Sequence, residues 1–187
     1  HPYVEAGENN SIDYITQLKA PITLKNEDAF MQFDEIVLVE PGDATEMWDY
    51  VIVEGSKDNG QTWLPISEEY DCRKEGIWLT TYNNGISQTT GNSEVEGTSS
   101  LFKTALINLY GVNNDFAGGD EILIRFRLYS DPYSVGWGWA IDNLQIQGNV
   151  SSVSEFVANG EKVTIYPNPA SSKITVDALF TEVVRQV

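Results

Sequence analysis

Asp120–Gly148 reads DEILIRFRLYSDPYSVGWGWAIDNLQIQG, and its two halves decide the fold class. In the first half Ile122, Ile124, Phe126 and Leu128 alternate with positions that include Arg125 and Arg127. Apolar side chains at every second position, with polar ones between, are the signature of a half-buried strand. The second half, Trp139 to Ile146, is also rich in aromatic and β-branched residues, but its alternation breaks at Asp142-Asn143. Trp139 and Ile141 share one face, Leu144 and Ile146 the other. An extra residue in one strand has this effect, so a β-bulge is expected there. Between the halves, Ser130 to Gly138 is a turn-rich loop carrying Tyr133 and Trp137. Asn113 to Asp120 is a turn leading into what reads as a hairpin.

Working outward, Ile36-Val37-Leu38-Val39 inside AFMQFDEIVLVE (Ala29–Glu40) is apolar on both faces and reads as a central strand ended by Pro41-Gly42. Tyr14 to Leu18, Trp48 to Glu54 and Gly76 to Leu79 read as further strands. So does Ser100 to Leu109, where a helix is the alternative. Asn83 to Ser100 is Gly/Ser/Thr/Asn-rich and reads as a long exposed loop. Roughly eight strands, long turns and no amphipathic helix predict an all-β fold, an antiparallel jelly-roll β-sandwich over residues 1–148. A polar linker is expected over 149–161, and a second β segment over 162–187.

Ser56, Asp58, Gly60, Thr62 and Trp63 follow the pattern S-x-D-x-G-x-T-W. An Asp carboxylate here accepts backbone N–H groups of the turn, Gly supplies positive φ and Trp packs the hairpin down, so a structural role is expected. The pattern resembles the Asp-box hairpin of secreted β proteins.

The chain carries 28 acidic and 11 basic residues, a formal net charge of −17. Such a chain does not neutralise nucleic acid or an anionic membrane surface, so neither is an expected partner. It suits Ca²⁺, which takes carboxylate and carbonyl oxygens, and equally suits plain solubility. Cys72 is the single cysteine and His1 the single histidine, which leaves no internal disulfide and no ordinary nucleophile–base pair. No run of about 18 apolar residues is present, so no transmembrane segment is expected.

VTIYPNPASSKITV (Val163–Val176) resembles the opening of the C-terminal sorting domain of type IX secretion substrates, matching at Tyr166, Pro167, Asn168, Pro169 and Ile174. That family's domain is a small Ig-like sandwich, so the resemblance implies that residues 162–187 are its truncated first part. It also implies export through the type IX machinery to the medium or the outer-membrane surface of a Gram-negative bacterium. FDEIVLVEPG, WDYVIVEGSKDNGQTW and GWGWAIDNLQI resemble the jelly-roll choice-of-anchor modules, which are similar to cleaved-adhesin modules and, more distantly, to MAM domains. Such modules are accessory rather than catalytic, and by that comparison a first edge strand lies upstream of His1.

The resemblance implies a structural Ca²⁺ held partly by Asp142, with Glu40 and Asp49 as candidate partners; the other reading of Asp142 is an acceptor of backbone hydrogen bonds at the bulge. Tyr133, Trp137 and Trp139 offer a stacking platform for sugars, or else pack the core. The neighbouring acids Asp34-Glu35 and Glu68-Glu69 point to opposite faces of a strand and make no dyad. The functional expectation is a non-catalytic adhesion module with weak affinity for a polysaccharide or a surface protein. The alternatives are a spacer beside a catalytic domain and, less favoured, an enzyme.

Overall fold

The computed structural model describes residues 10–43 and 45–148, and beyond them the strand residues 156–158, 161–166 and 175–178. The chain divides into two compact units, His1–Gln147 and Gly148–Val187.

The first unit contains the strands β1 (Ile12–Gln17), β2 (Ile22–Thr23), β3 (Phe30–Leu38), β4 (Tyr50–Ser56), β5 (Leu64–Pro65), β6 (Lys103–Asn108), β7 (Glu121–Ser130) and β8 (Gly138–Ile146). They pair antiparallel in two sheets, one ordered β1-β7-β4-β5 with β2 also on β7, the other β6-β3-β8. β7 buries Ile122, Ile124, Phe126 and Leu128, while Arg125 and Arg127 on its other face keep 17% and 13% of their side chains exposed. Both apolar clusters of the core draw on both sheets, so the unit is an all-β sandwich. Phe33 of β3 meets Phe126 of β7 edge to face, with ring centroids 5.6 Å apart.

The stretch that reads as a hairpin is not one. β7 pairs with β1 and β4, whereas β8 pairs with β3 in the opposite sheet. Residues 131–137 therefore cross from one sheet to the other, spanning the roughly 10 Å that separates packed sheets. The expected bulge is present: the β3–β8 register shifts between Gln32 and Asp34, and Asn143 has φ of 53°.

Gly76 to Leu79, expected as a strand, is instead the first turn of α1 (Gly76–Asn84). Its nine residues include Thr80 and Thr81, and the Glu75 side chain makes no capping bond, so local propensity is weak. Packing sustains it. Trp78 and Tyr82 of α1 are buried with Ile36 and Leu38, the face of β3 turned away from β7, and Trp78 Nε1 donates to the Leu101 carbonyl at 2.8 Å. This is why β3 is apolar on both faces: one lies between the sheets, the other under α1. Cys72 opens a short 3-10 turn (Cys72–Lys74) just before α1 and is fully buried. Burial pushes its thiol up to about 12.

A carboxylate is also sealed inside the sandwich. Glu35, 1% exposed, accepts hydrogen bonds from Tyr70 Oη (2.7 Å), Trp139 Nε1 (2.9 Å) and Lys74 Nζ (2.9 Å). Every oxygen of this buried charge is answered, as its stability requires.

In the second unit β9 (Phe156–Ala158), β10 (Glu161–Tyr166) and β11 (Thr175–Ala178) form an antiparallel sheet ordered β11-β10-β9. β9 falls inside the segment that reads as a linker; its residues Phe156-Val157-Ala158 are the uninterrupted apolar run of that polar stretch. β10 ends at Tyr166, opposite Thr175. Pro167, Asn168, Pro169 and Ile174 lie outside the described residues.

Candidate functional site

Three carboxylates converge at one end of the sandwich. Glu40 follows β3, Asp49 precedes β4, and Asp131 follows β7 at the start of the crossover. One oxygen from each lies within 4.8 Å of the others. Asp49 is fully buried and Glu40 is 8% exposed. The backbone amide of Asp131 donates to Asp49 Oδ1 at 2.8 Å, and that of Tyr133 to Asp131 Oδ1 at 2.8 Å. Glu40 Oε2 is buried with no hydrogen-bond partner. An unanswered oxygen in such a place is costly unless something else answers it.

Burial, then the charges of Asp49 and Asp131, raise the Glu40 carboxyl to about 8, against a small opposing hydrogen bond from Ser134. The Tyr82 hydroxyl is pushed up too, by burial first and then by the same carboxylates. The cage offers oxygen donors only and up to three negative charges, the donor set of a hard divalent cation. Of the residues expected to hold a metal, it brings together Glu40 and Asp49.

Asp142 is not part of it. It is exposed and pairs across the sheet with Asp34, and its Oδ1 accepts from the amide of Asn143 at 2.7 Å. Four residues of strand, roughly 13 Å at 3.3 Å each, separate Asp34 from Leu38 alone, and Glu40 lies beyond. Asp142 fulfils the other reading, an acid satisfied at a bulge. Asp131 takes its place in the cage and was missed by sequence reasoning. Its mark lies in the strand pairing and not in the local sequence: with β4 and β7 paired at Tyr50↔Tyr129, the next positions outward are Asp49 and Ser130, which brings Asp131 to Asp49.

The three candidate stacking aromatics separate. Tyr133 is 69% exposed. Trp137 is half-buried against the core, and a Cβ on Gly97 would lie 2.6 Å from its ring. Trp139 packs edge to face with Phe33, Phe126 and Tyr70 and holds Glu35, so it belongs to the core. Its remaining exposed part lines an apolar groove of about 600 Å³ that runs between β1 and β8, beside Tyr14, Phe126, Ile141 and Leu144. No member of the carboxylate cage lines this groove.

Ser56, Asp58, Thr62 and Trp63 spend their polar groups within their own turn. Asp58 Oδ1 accepts from Ser56 Oγ (2.7 Å) and the Thr62 amide (2.8 Å), Asp58 Oδ2 accepts from Thr62 Oγ1 (2.6 Å), and Trp63 Nε1 donates to the Gly60 carbonyl (3.1 Å). These bonds, those of Thr62 foremost, bring the Asp58 carboxyl down to about 2. Gly60 has φ of 85°, and the Arg125 guanidinium sits 4.3 Å above the Trp63 ring. Asp58 is thus spent on the turn.

Neither a scan against models of protein families nor a comparison with curated proteins returned a match.

Proposed function

We propose that this chain is a non-catalytic accessory module of a secreted or cell-surface bacterial protein, a jelly-roll sandwich whose recognition loops are braced by Ca²⁺. The observation that carries this reading is the cage of Glu40, Asp49 and Asp131 with its unpartnered Glu40 oxygen. A cage of two buried carboxylates and one partly buried one, with a buried oxygen left unpartnered, suits an ion better than a reaction. Calcium bound there ties the end of β7 to the neighbouring ends of β3 and β4, with Asp131 82 residues beyond Asp49 in the sequence.

The accompanying proposal is that the second unit belongs to an Ig-like sorting domain read by the type IX machinery. Its support is the YPNP sequence at the end of β10, with β11 returning antiparallel from Thr175. Fusion of the complete domain to a periplasmic reporter tests this, and a reporter that stays in the periplasm refutes it. The competing reading of the first unit, a spacer, is favoured by the packing of Trp137 against Gly97.

Melting curves decide the metal. Calcium at a hundredfold excess over its Kd stabilises by about 2.7 kcal/mol, a rise of roughly 5–11 °C for a unit of this size. Coincident curves in calcium and in chelator overturn the reading.

A further inference from the structure

Exposed aromatic side chains flank the cage on two of the chain segments that build it. Trp48, 39% exposed, immediately precedes Asp49. Tyr133 follows Asp131 by two residues, with its amide on the Asp131 carboxylate. One step further into the sheet Tyr50 and Tyr129, direct partners across β4 and β7, stack with centroids 5.0 Å apart and planes 19° from parallel. Trp48-Asp49-Tyr50 and Tyr129-Ser130-Asp131 thus lie side by side, tied by the bond from the Asp131 amide to Asp49 Oδ1, and Tyr133 follows as the chain turns away.

We propose that Trp48 and Tyr133, backed by the Tyr50–Tyr129 stack, form a surface for neutral polysaccharide, and that the cation in the cage switches it on. The proposal rests on the reading of the cage as a cation site. Rings of this kind present flat apolar faces to sugar C–H groups and polar edges to sugar hydroxyls. Asp43 and Glu46, which line a shallow depression together with Tyr50, suit a hydroxyl-rich ligand better than an apolar protein surface. The net charge of −17 selects against anionic polymers. Without a cation, the charges of Asp49 and Asp131 crowd the Glu40 carboxyl and loosen the two segments on which Trp48 and Tyr133 stand. With it, their spacing is fixed before the ligand arrives, which removes an ordering cost from binding.

Affinity gel electrophoresis on the full chain tests both halves. The probes are β-glucan, mannan and amylose, with polygalacturonate as the anionic control, each run in calcium and in chelator. Retardation is expected on at least one neutral gel in calcium and on none in chelator or on polygalacturonate. Trp48→Ala and Tyr133→Ala should each weaken it about fivefold, while both variants melt like the parent and keep its calcium shift. Retardation that ignores calcium refutes the switch, and retardation that survives both substitutions refutes the surface. No retardation on any neutral gel overturns the proposal even where calcium raises the melting temperature. A melting temperature that ignores calcium overturns the cage reading itself.

Discussion

Replacing Glu40 with Gln should make the metal-free protein more stable. Folding raises this carboxyl from 4.5 to about 8. Between those values the unfolded chain binds fewer protons than the folded one, so stability falls as pH rises through the window and levels off above about 8. At pH 7 the ionisable group costs about 3 kcal/mol, and above pH 8 about 5 kcal/mol. Gln keeps the shape, carries no charge and can donate to Asp49 or Asp131. In chelator at pH 7, Glu40→Gln should therefore melt roughly 6–12 °C above the parent, at about 2–4 °C per kcal/mol. The difference should vanish near pH 4.5 and grow towards pH 8. Calcium closes most of the gap, because the parent gains about 2.7 kcal/mol from the ion at a hundredfold excess over its Kd and the variant has lost a ligand. Calorimetry over that pH range, in chelator and in calcium, reads all of this. A variant that melts at or below the parent in chelator at pH 7 refutes the reasoning.

The other predictions concern single contacts. Asp142→Asn should leave the calcium-dependent melting shift unchanged, since that carboxylate lies outside the cage; loss of the shift would return it to the metal. Glu35→Ala strands the Tyr70 hydroxyl, the Trp139 indole and the Lys74 ammonium, and should cost about 3–5 kcal/mol in denaturant titration, with Glu35→Gln milder. Trp78→Ala removes a fully buried ring and should cost about 3–5 kcal/mol. Asp58→Ala should lower the melting temperature at neutral pH. That deficit should shrink as pH falls from the unfolded value of 3.8 through about 2, where the parent's own carboxylate is protonated.

The parts of the fold that could be read in advance are those where one side-chain period carries the information. β7 alternates cleanly because one of its faces is core, and the bulge at Asn143 betrays itself by breaking the period. Partnership between strands has no such local mark. Nothing within Asp120–Gly148 says that its two strands belong to opposite sheets, and a loop of seven residues serves a hairpin or a crossover equally well. α1 hides because Trp78 and Tyr82 are held by β3, some 40 residues away, rather than by its own propensity. The cage was half legible for the same reason. Glu40 and Asp49 flank recognisable strands, whereas Asp131 joins them only through the β4–β7 pairing.

Cys72 gives the protein a built-in reporter of its own opening. With the thiol at about 12, about one molecule in ten thousand carries the thiolate at pH 8, against roughly a quarter for an ordinary cysteine. The sulfur is also wholly shielded from reagent by α1 and the sheet beneath it. Alkylation of the native chain therefore has to wait for that region to unfold, and with one thiol per molecule the modified fraction counts opening events directly. A time course of labelling in calcium and in chelator would show whether the cation slows the opening itself.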